Sequence, residues 1–304
     1  AAGNLEWLKR SETGVEMRLN RPGKREATAL AYPKALRWTP DAPAAMNVLV
    51  YADDYIHPAP NTYIDQALQS LGVAYTAHYE GDFVGFESDL VSGGPWDLVI
   101  FADENYYPPT SLDASLNNYV LGGGKLVFQT WAMGNFPLLS STLGVTYLTD
   151  DYDPPNPVYW WEPGHPVFTD PESAPEYTSL TGFIYGIYGQ YVEPYAGFAA
   201  LAGYTTPGPD PNQAAMVLNE AGTTIFKGFV DGTNDADLDG DGKADAFELW
   251  VNIISGIEVG FAGDVPWFSE SPISGTLSGN FTPVLEYRQG DTTVAKPGEA
   301  LDVV

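Results

Sequence analysis

Apolar and polar positions change period along the chain, and the changes mark its elements. Asn47-Val48-Leu49-Val50-Tyr51-Ala52 is apolar without alternation and stops at Asp53-Asp54, the pattern of a strand buried on both faces. Residues 64–71 have helical spacing and end at Gly72, a residue suited to a helix C-terminus. Val73-Ala74-Tyr75-Thr76 reads as a second strand, and Asp97-Leu98-Val99-Ile100-Phe101-Ala102 as a third, ending at Asp103-Glu104. A helix over 112–121 stops at Gly122-Gly123-Gly124, a fourth strand covers 125–130, and a short helix covers 138–143. Strands alternating with helices, the strands apolar throughout, predict parallel βαβ units with right-handed crossovers. The expected class is α/β: a doubly wound, mostly parallel, flavodoxin-like sheet, with β segments flanking it at both termini.

Residues 150–212 break this rhythm. They are rich in Pro, Tyr, Trp and Gly, with Asp153-Pro154-Pro155-Asn156-Pro157 as an example, and read as an insertion with some β structure or as loops over the sheet's end. Strands return at 214–218 and 223–230, around a turn at Asn219-Glu220-Ala221-Gly222, and a helix covers 247–257. Three segments follow: an arm over 1–45, partly β because Val15-Glu16-Met17-Arg18-Leu19-Asn20 alternates; an α/β domain over 46–258; and a Ser/Gly/Pro-rich β segment over 259–304.

Composition narrows the function. The 304 residues carry 40 Asp+Glu against 13 Lys+Arg, a net charge of −27, which repels nucleic acid and anionic membrane surfaces. No apolar run is long enough to span a bilayer. Eight of the basic residues lie before position 38, so a basic arm precedes an acidic body and is expected to lie on it or on a neighbouring copy. There is no cysteine, which excludes disulfides, thiolate nucleophiles and zinc–thiolate sites. Acidity, Gly and Pro, and abundant Tyr and Trp point to an extracellular or cell-surface protein. The same acidity with few lysines also fits a salt-adapted surface. Ala1-Ala2-Gly3 reads as a mature terminus or the start of a fragment.

One stretch has a specific chemistry. Asp237-Leu238-Asp239-Gly240-Asp241-Gly242-Lys243-Ala244-Asp245-Ala246-Phe247-Glu248 matches the twelve-residue EF-hand-type loop. Ca²⁺ takes six to eight hard oxygens at about 2.3–2.6 Å, and alternate side chains of a tight loop converge on one point. Asp237, Asp239, Asp241, Asp245 and Glu248 are the candidate carboxylate ligands, Lys243 supplies a backbone carbonyl, and Gly242 permits the turn. A helix follows the loop as in an EF-hand, but a strand precedes it, so the loop joins strand to helix. Asp231 and Asp235 are candidates for a further ligand or a weaker site.

A second constellation follows from topology. Asp53, Asp54 and Asp103 fall at the carboxyl ends of adjacent strands, where open α/β sheets bind ligands, and His57 is close behind the first strand. These four form a candidate ligand crevice. The layout also resembles a phospho-acceptor receiver, but the receiver's lysine at a later strand end is missing, since Lys125 lies at a strand start. No Gly-x-Ser-x-Gly elbow is present. His78 and His165 read as structural.

Together, the strand 47–52, the Trp96-Asp97-Leu98-Val99-Ile100-Phe101 strand, the Gly-Gly-Gly-Lys-Leu-Val-Phe turn and strand, Gln129 to Gly134 with the helix after it, and Gly164-His165-Pro166-Val167 carry a resemblance. Residues 46–257 resemble the class I glutamine amidotransferase-like fold, which includes the ThuA-like proteins. That family puts a nucleophilic cysteine at the elbow that falls here around Thr130 to Gly134. No cysteine exists, and no partner His-x-Glu closes the chain, so the resemblance implies the fold without that chemistry. The strand, acidic loop and helix at the end resemble domains of large secreted bacterial proteins. Residues Asp264 to Ser278 resemble the opening of a bacterial Ig-like domain, too short here to complete one.

Tyr159, Trp160 and Trp161, with Tyr185, Tyr188, Tyr191 and Tyr195, form an aromatic group. Trp160 and Trp161 are candidates for a glycan or partner contact. Asn280-Phe281-Thr282 matches the glycosylation sequon. The expectation is a secreted, calcium-stabilised, non-catalytic structural or binding module. Its expected partners are copies of itself, joined by strand exchange, or adjoining domains of a larger protein. The alternative is a hydrolase or carbohydrate-binding module using the crevice or the tryptophans.

Overall fold

The alternation at Val15–Leu19 becomes a strand: in the computed structural model β1 (Leu5–Ser11) pairs antiparallel with β2 (Gly14–Leu19). The structure describes residues 46–259, apart from 55, 153, 179, 181–185 and 207, together with 5–11, 14–19, 288–289 and 292–293. Contacts divide the chain into two units, Ala1–Met46 and Asn47–Val304. The remainder of the basic arm, most of 259–304 with its Ig resemblance and sequon, Tyr185 and the strand-exchange expectation all fall outside the described residues.

In the second unit the elements run β3 (Val48–Ala52), α1 (Tyr63–Ser70), β4 (Tyr75–His78), α2 (Phe83–Ser92), β5 (Leu98–Asp103), α3 (Ser111–Leu121), β6 (Leu126–Thr130), α4 (Pro137–Thr142) and β7 (Val145–Tyr152). They continue with β8 (Tyr159–Trp160), α5 (Pro166–Thr169), β9 (Ile187–Pro194), β10 (Phe198–Gly203), β11 (Ala214–Asn219), β12 (Thr224–Lys227) and α6 (Asp245–Val259). A short antiparallel pair, β13 (Arg288–Gln289) and β14 (Thr292–Thr293), completes the described elements.

The main sheet has the order β4-β3-β5-β6-β12-β11-β10-β8. Its first five strands are parallel, the doubly wound flavodoxin-like arrangement. The chain moves outward from β3 to β4, then returns past β3 to β5 and on to β6. With right-handed crossovers, that reversal puts α1 on one face and α2 and α3 on the other. Leu49, Tyr51, Val99, Phe101 and Phe128 pack with Phe83, Phe86, Leu112, Leu116, Phe136 and Leu139 of the second face. α1 packs against α6, whose Leu249, Trp250, Ile253, Ile254 and Ile257 are buried. The strand order reverses at β3/β5, the switch point whose carboxyl-end crevice takes ligands in such sheets.

Three differences from the expected elements have physical reasons. α2 was not expected, because Val84 and Val91 are 81% and 72% exposed and so blur the apolar stripe of Phe83, Phe86 and Leu90. β4 begins two residues later than expected, at Tyr75. For residues 150–212 the alternative with β structure is the one observed, with more of it than the sequence suggested: β10 and β8 extend the sheet in antiparallel fashion, and β9 pairs with β11 and β7. β9 and β10 are buried in runs rather than at alternate residues, so no period of two marks them in the sequence.

Candidate functional site

The two constellations are joined through the loop after β12, which meets His57 at Gly232 and Asp235 and then runs into 237–248. β3 and β5 are neighbours in register, Tyr51 opposite Phe101 and Ala52 opposite Ala102, so Asp53 and Asp103 emerge at the same edge. Asp53 is 5% exposed. Its Oδ1 accepts from the amides of Glu104 (2.7 Å) and Asn105 (2.8 Å), and its Oδ2 from the Tyr51 hydroxyl (2.6 Å). Asp53 thus staples the turn after β5 across the switch point. Burial pushes its carboxyl up to about 6, against those hydrogen bonds.

Asp103 is fully buried. It accepts from the Thr130 hydroxyl at 2.9 Å, and burial and then Asp53 hold its carboxyl well above the ordinary range. Thr130 occupies the elbow position, and its Oγ1 also accepts from the Ala132 amide. The hydroxyl is therefore committed to the turn.

Asp54 folds back on its own loop. Its Oδ1 accepts from the amides of Ile56 (2.7 Å) and His57 (2.5 Å), and its Oδ2 meets His57 Nδ1 at 2.8 Å. His57 Nδ1 also reaches the Gly232 carbonyl at 2.8 Å, and Nε2 lies 3.2 Å from Asp235. The imidazole therefore ties the loop after β3 to the loop after β12. A cavity of about 350 Å³ above this edge is lined by Asp53, Asp54, His57, Thr62, Tyr79 and Asn105, among others. Three of the four crevice residues line it. Asp103 does not, because it lies beneath the edge with no exposed surface.

Sequence reasoning missed the polar cluster beside it. Lys227, the last residue of β12, is fully buried. Its ammonium donates to Asp231 (2.7 Å), Gln129 (2.5 Å) and the Phe229 carbonyl (2.9 Å), and lies 4.1 Å from the Phe229 ring centroid. Burial lowers the Lys227 pKa, and Asp231 and Glu104 oppose that. Asp231 also accepts from the Tyr177 hydroxyl at 3.0 Å. Glu104, 3% exposed, accepts from Gln129 and from the amides of Asp231 and Gly232. Burial and the Asp231 charge push Glu104 up to about 8. Gly232 is needed here: a Cβ would sit 2.5 Å from Glu104 Oε2 and 2.8 Å from the Asp54 Cβ. A lysine does therefore stand at a later strand end. The signal for it was a lone Lys in the apolar run Thr224-Ile225-Phe226-Lys227, with an Asp four residues on.

That loop runs through Asp235, which accepts from the Tyr63 hydroxyl, into 237–248. Asp237 gathers amides: its Oδ1 accepts from Gly240 (2.7 Å) and Asp241 (3.1 Å), and its Oδ2 from Gly242 (3.0 Å). Asp239 accepts from Asp241, and Asp241 from Lys243. Gly240 and Gly242 have φ of +80° and +93°, the left-handed region that glycine enters without strain. The carboxylates of Asp237, Asp239 and Asp241 all offer an oxygen within 4.8 Å of one another, and so do those of Glu172, Asp241 and Glu248. That spread suits oxygens on opposite sides of a cation at about 2.4 Å from each.

Asp245 and Glu248 are the buried members, at 0% and 1% exposure. Asp245 Oδ1 accepts from the Leu238 amide at 3.0 Å. Asp245 Oδ2 and Glu248 Oε2 have no hydrogen-bond partner among the described residues. Burial, then Asp239 and Asp241, push Glu248 up to about 7; burial first, then Asp239, also raises Asp245. The Lys243 ammonium pairs with Glu172 and lies 3.3 Å from Asp241.

The two tryptophans are placed differently. Trp160 is 6% exposed, stacked on Phe168 at 4.2 Å and edge-on to Tyr177 at 5.4 Å, with its indole N–H on the Ala174 carbonyl. It is a core residue with no face left for a sugar. Trp161 is half-buried and donates to the Thr205 carbonyl. Among the described residues no helix is long and apolar enough to cross a membrane.

No family model and no curated protein matches this chain. Solved structures with a similar fold include PurLQS from Thermotoga maritima, at 13% identity and a TM-score of 0.39, covering 70% of this chain and 99% of that one. A putative ThuA-like protein from Parabacteroides merdae is similar at 14% identity and a TM-score of 0.42, covering 73% of this chain and 92% of that one. The glutaminase domain of Trypanosoma brucei CTPS, with bound acivicin, is similar at 10% identity and a TM-score of 0.37, covering 70% of this chain and 94% of that one.

Proposed function

We propose that this chain is a calcium-stabilised structural or binding module, without catalytic activity of its own, that works outside the cell. The observation that carries this reading is Glu248. A carboxylate 1% exposed, with one oxygen lacking a partner among the described residues, stands at the twelfth position of an acidic loop. Leaving a buried anion unsatisfied is costly, and a hard dication bound by Asp237, Asp239, Asp241 and Glu248 removes that cost. Millimolar extracellular calcium fills even a weak site of this kind.

The non-catalytic part of the reading is supported by how the crevice groups are used. Asp53 and Asp54 accept backbone amides, Asp103 is buried, and Thr130 is held by Asp103 and Ala132. An activated nucleophile needs an adjacent base free to act on it, and these groups are engaged in holding loops.

Calorimetric titration with CaCl₂ tests the reading, alongside thermal melting in calcium and in chelator. At a calcium concentration a hundredfold above the dissociation constant, binding stabilises by about 2.7 kcal/mol. For a domain of this size that is a melting shift of roughly 5–10 °C. The double variant Asp237→Asn/Glu248→Gln is expected to lose both heat and shift. A native chain that takes up no calcium and melts identically in chelator disproves the proposal.

A further inference from the structure

Glu172 belongs to the insertion between β8 and β9, far from the loop in sequence. Its backbone is nonetheless fixed on α6. The Glu172 amide donates to Asn252 Oδ1 at 2.8 Å, and Asn252 Nδ2 donates back to the Glu172 carbonyl at 2.9 Å. Asn252 is fully buried and lies one helical turn beyond Glu248, so the clasp holds Glu172 over the face of α6 that carries the loop's last ligand. The Glu172 side chain then turns toward the loop. One of its oxygens comes within 4.8 Å of ligand oxygens of both Asp241 and Glu248, and its Oε2 pairs with the Lys243 ammonium. Three carboxylates at that spacing repel one another, and the single Lys243 charge beside Glu172 and Asp241 offsets only part of this, whereas a dication among them neutralises the rest. Glu248, whose Oε2 has no partner among the described residues, belongs to this same trio.

We infer that Glu172 is a direct ligand of the cation, supplied from outside the twelve-residue loop, so that the bound ion fastens the insertion to α6. The inference rests on the calcium reading above. A loop of this type leaves part of the coordination sphere to water. A carboxylate from a second segment takes one such position, with Lys243 paired to the same carboxylate. The ion then joins three parts of the fold: the loop after β12, the start of α6 and the segment after α5.

The test combines calcium titration calorimetry with europium luminescence lifetimes in H₂O and D₂O, which count water on the ion. Both use the full chain in its native, E172Q and E172D forms. Gln removes the charge. Asp keeps the charge but shortens the reach, so the pair separates ligation from long-range attraction. Direct ligation predicts that calcium affinity falls about tenfold or more in both variants. It also predicts about one additional water on europium, replacing the lost ligand. Should one variant fail to fold, the other carries the same two readouts. Unchanged affinity, or weaker affinity with an unchanged water count, overturns the inference and leaves Glu172 as a salt-bridge partner of Lys243. A native chain that binds no calcium defeats instead the reading on which the inference rests.

Discussion

Lys227 and Glu104 show how single side chains at the sheet edge are held by one another. Lys227 shares Asp231 and Gln129 with Glu104, and all four are buried. Removing one partner of such a group strands the others. The Glu104 carboxyl is pushed up to about 8, chiefly by burial, from an ordinary 4.5. The folded chain thus keeps a proton that the unfolded chain gives up near pH 4.5. Glu104's contribution to stability is complete below that pH and is lost as pH rises through about 8. Its share of the slope is on the order of 1 kcal/mol per pH unit within that window. Glu104→Gln is expected to flatten the stability–pH profile between pH 5 and 8. Denaturant titrations across that range, in saturating calcium, check this, and an unchanged slope refutes it. Apart from Lys227 and Asp231, four positions apart, these partners could not be paired from the sequence. Gln129 and Lys227 are 98 positions apart, and Glu104 and Asp231 are 127 apart. The loop carboxylates proposed to hold calcium were legible because they follow one another, whereas Glu172 was not, because it arrives from another element.

At the level of elements, what the sequence disclosed depended on how each element is buried. β3, β5 and β6 are covered on both faces, so every residue is apolar or nearly so and the strands are plain in the pattern. β7 is covered unevenly: Val145 and Asp151 are buried while Thr146, Leu148 and Tyr152 are exposed, so 145–149 gave no strand pattern and 150–152 fell within the insertion. The loop 237–248 lies between these cases, since its backbone is dictated by two glycines. At Gly242 a Cβ would meet nothing within 4 Å, so the cost of a side chain there comes from φ of +93° alone. Gly242→Ala is expected to destabilise the calcium-saturated chain by about 1–2 kcal/mol. Melting in excess calcium measures it, and an equal melting temperature shows that the turn tolerates a side chain.

Over the whole molecule the dominant fact is charge. With 40 acidic residues against 13 basic ones, the folded surface repels itself, and a compact state far from neutrality is weakened by that repulsion. The acidic loop concentrates the effect, because Asp237, Asp239 and Asp241 lie within reach of one another and Asp241 also faces Glu172 and Glu248. Two agents relieve it differently. Monovalent salt shortens the screening length from about 10 Å at 0.1 M to about 3 Å at 1 M, which acts on every exposed acid. Calcium acts at one point, but on groups that salt reaches poorly, since Asp245 and Glu248 are buried. In chelator, the melting temperature is therefore expected to climb as KCl rises from 0.05 to 1 M. In saturating calcium the climb should be smaller, because the densest cluster is already neutralised. Equal salt dependence with and without calcium would mean that the loop carries no special share of the repulsion. A melting temperature that falls with KCl in chelator would mean that attractive ion pairs, such as those of Lys243 with Glu172 and Asp241, outweigh the repulsion among the acids.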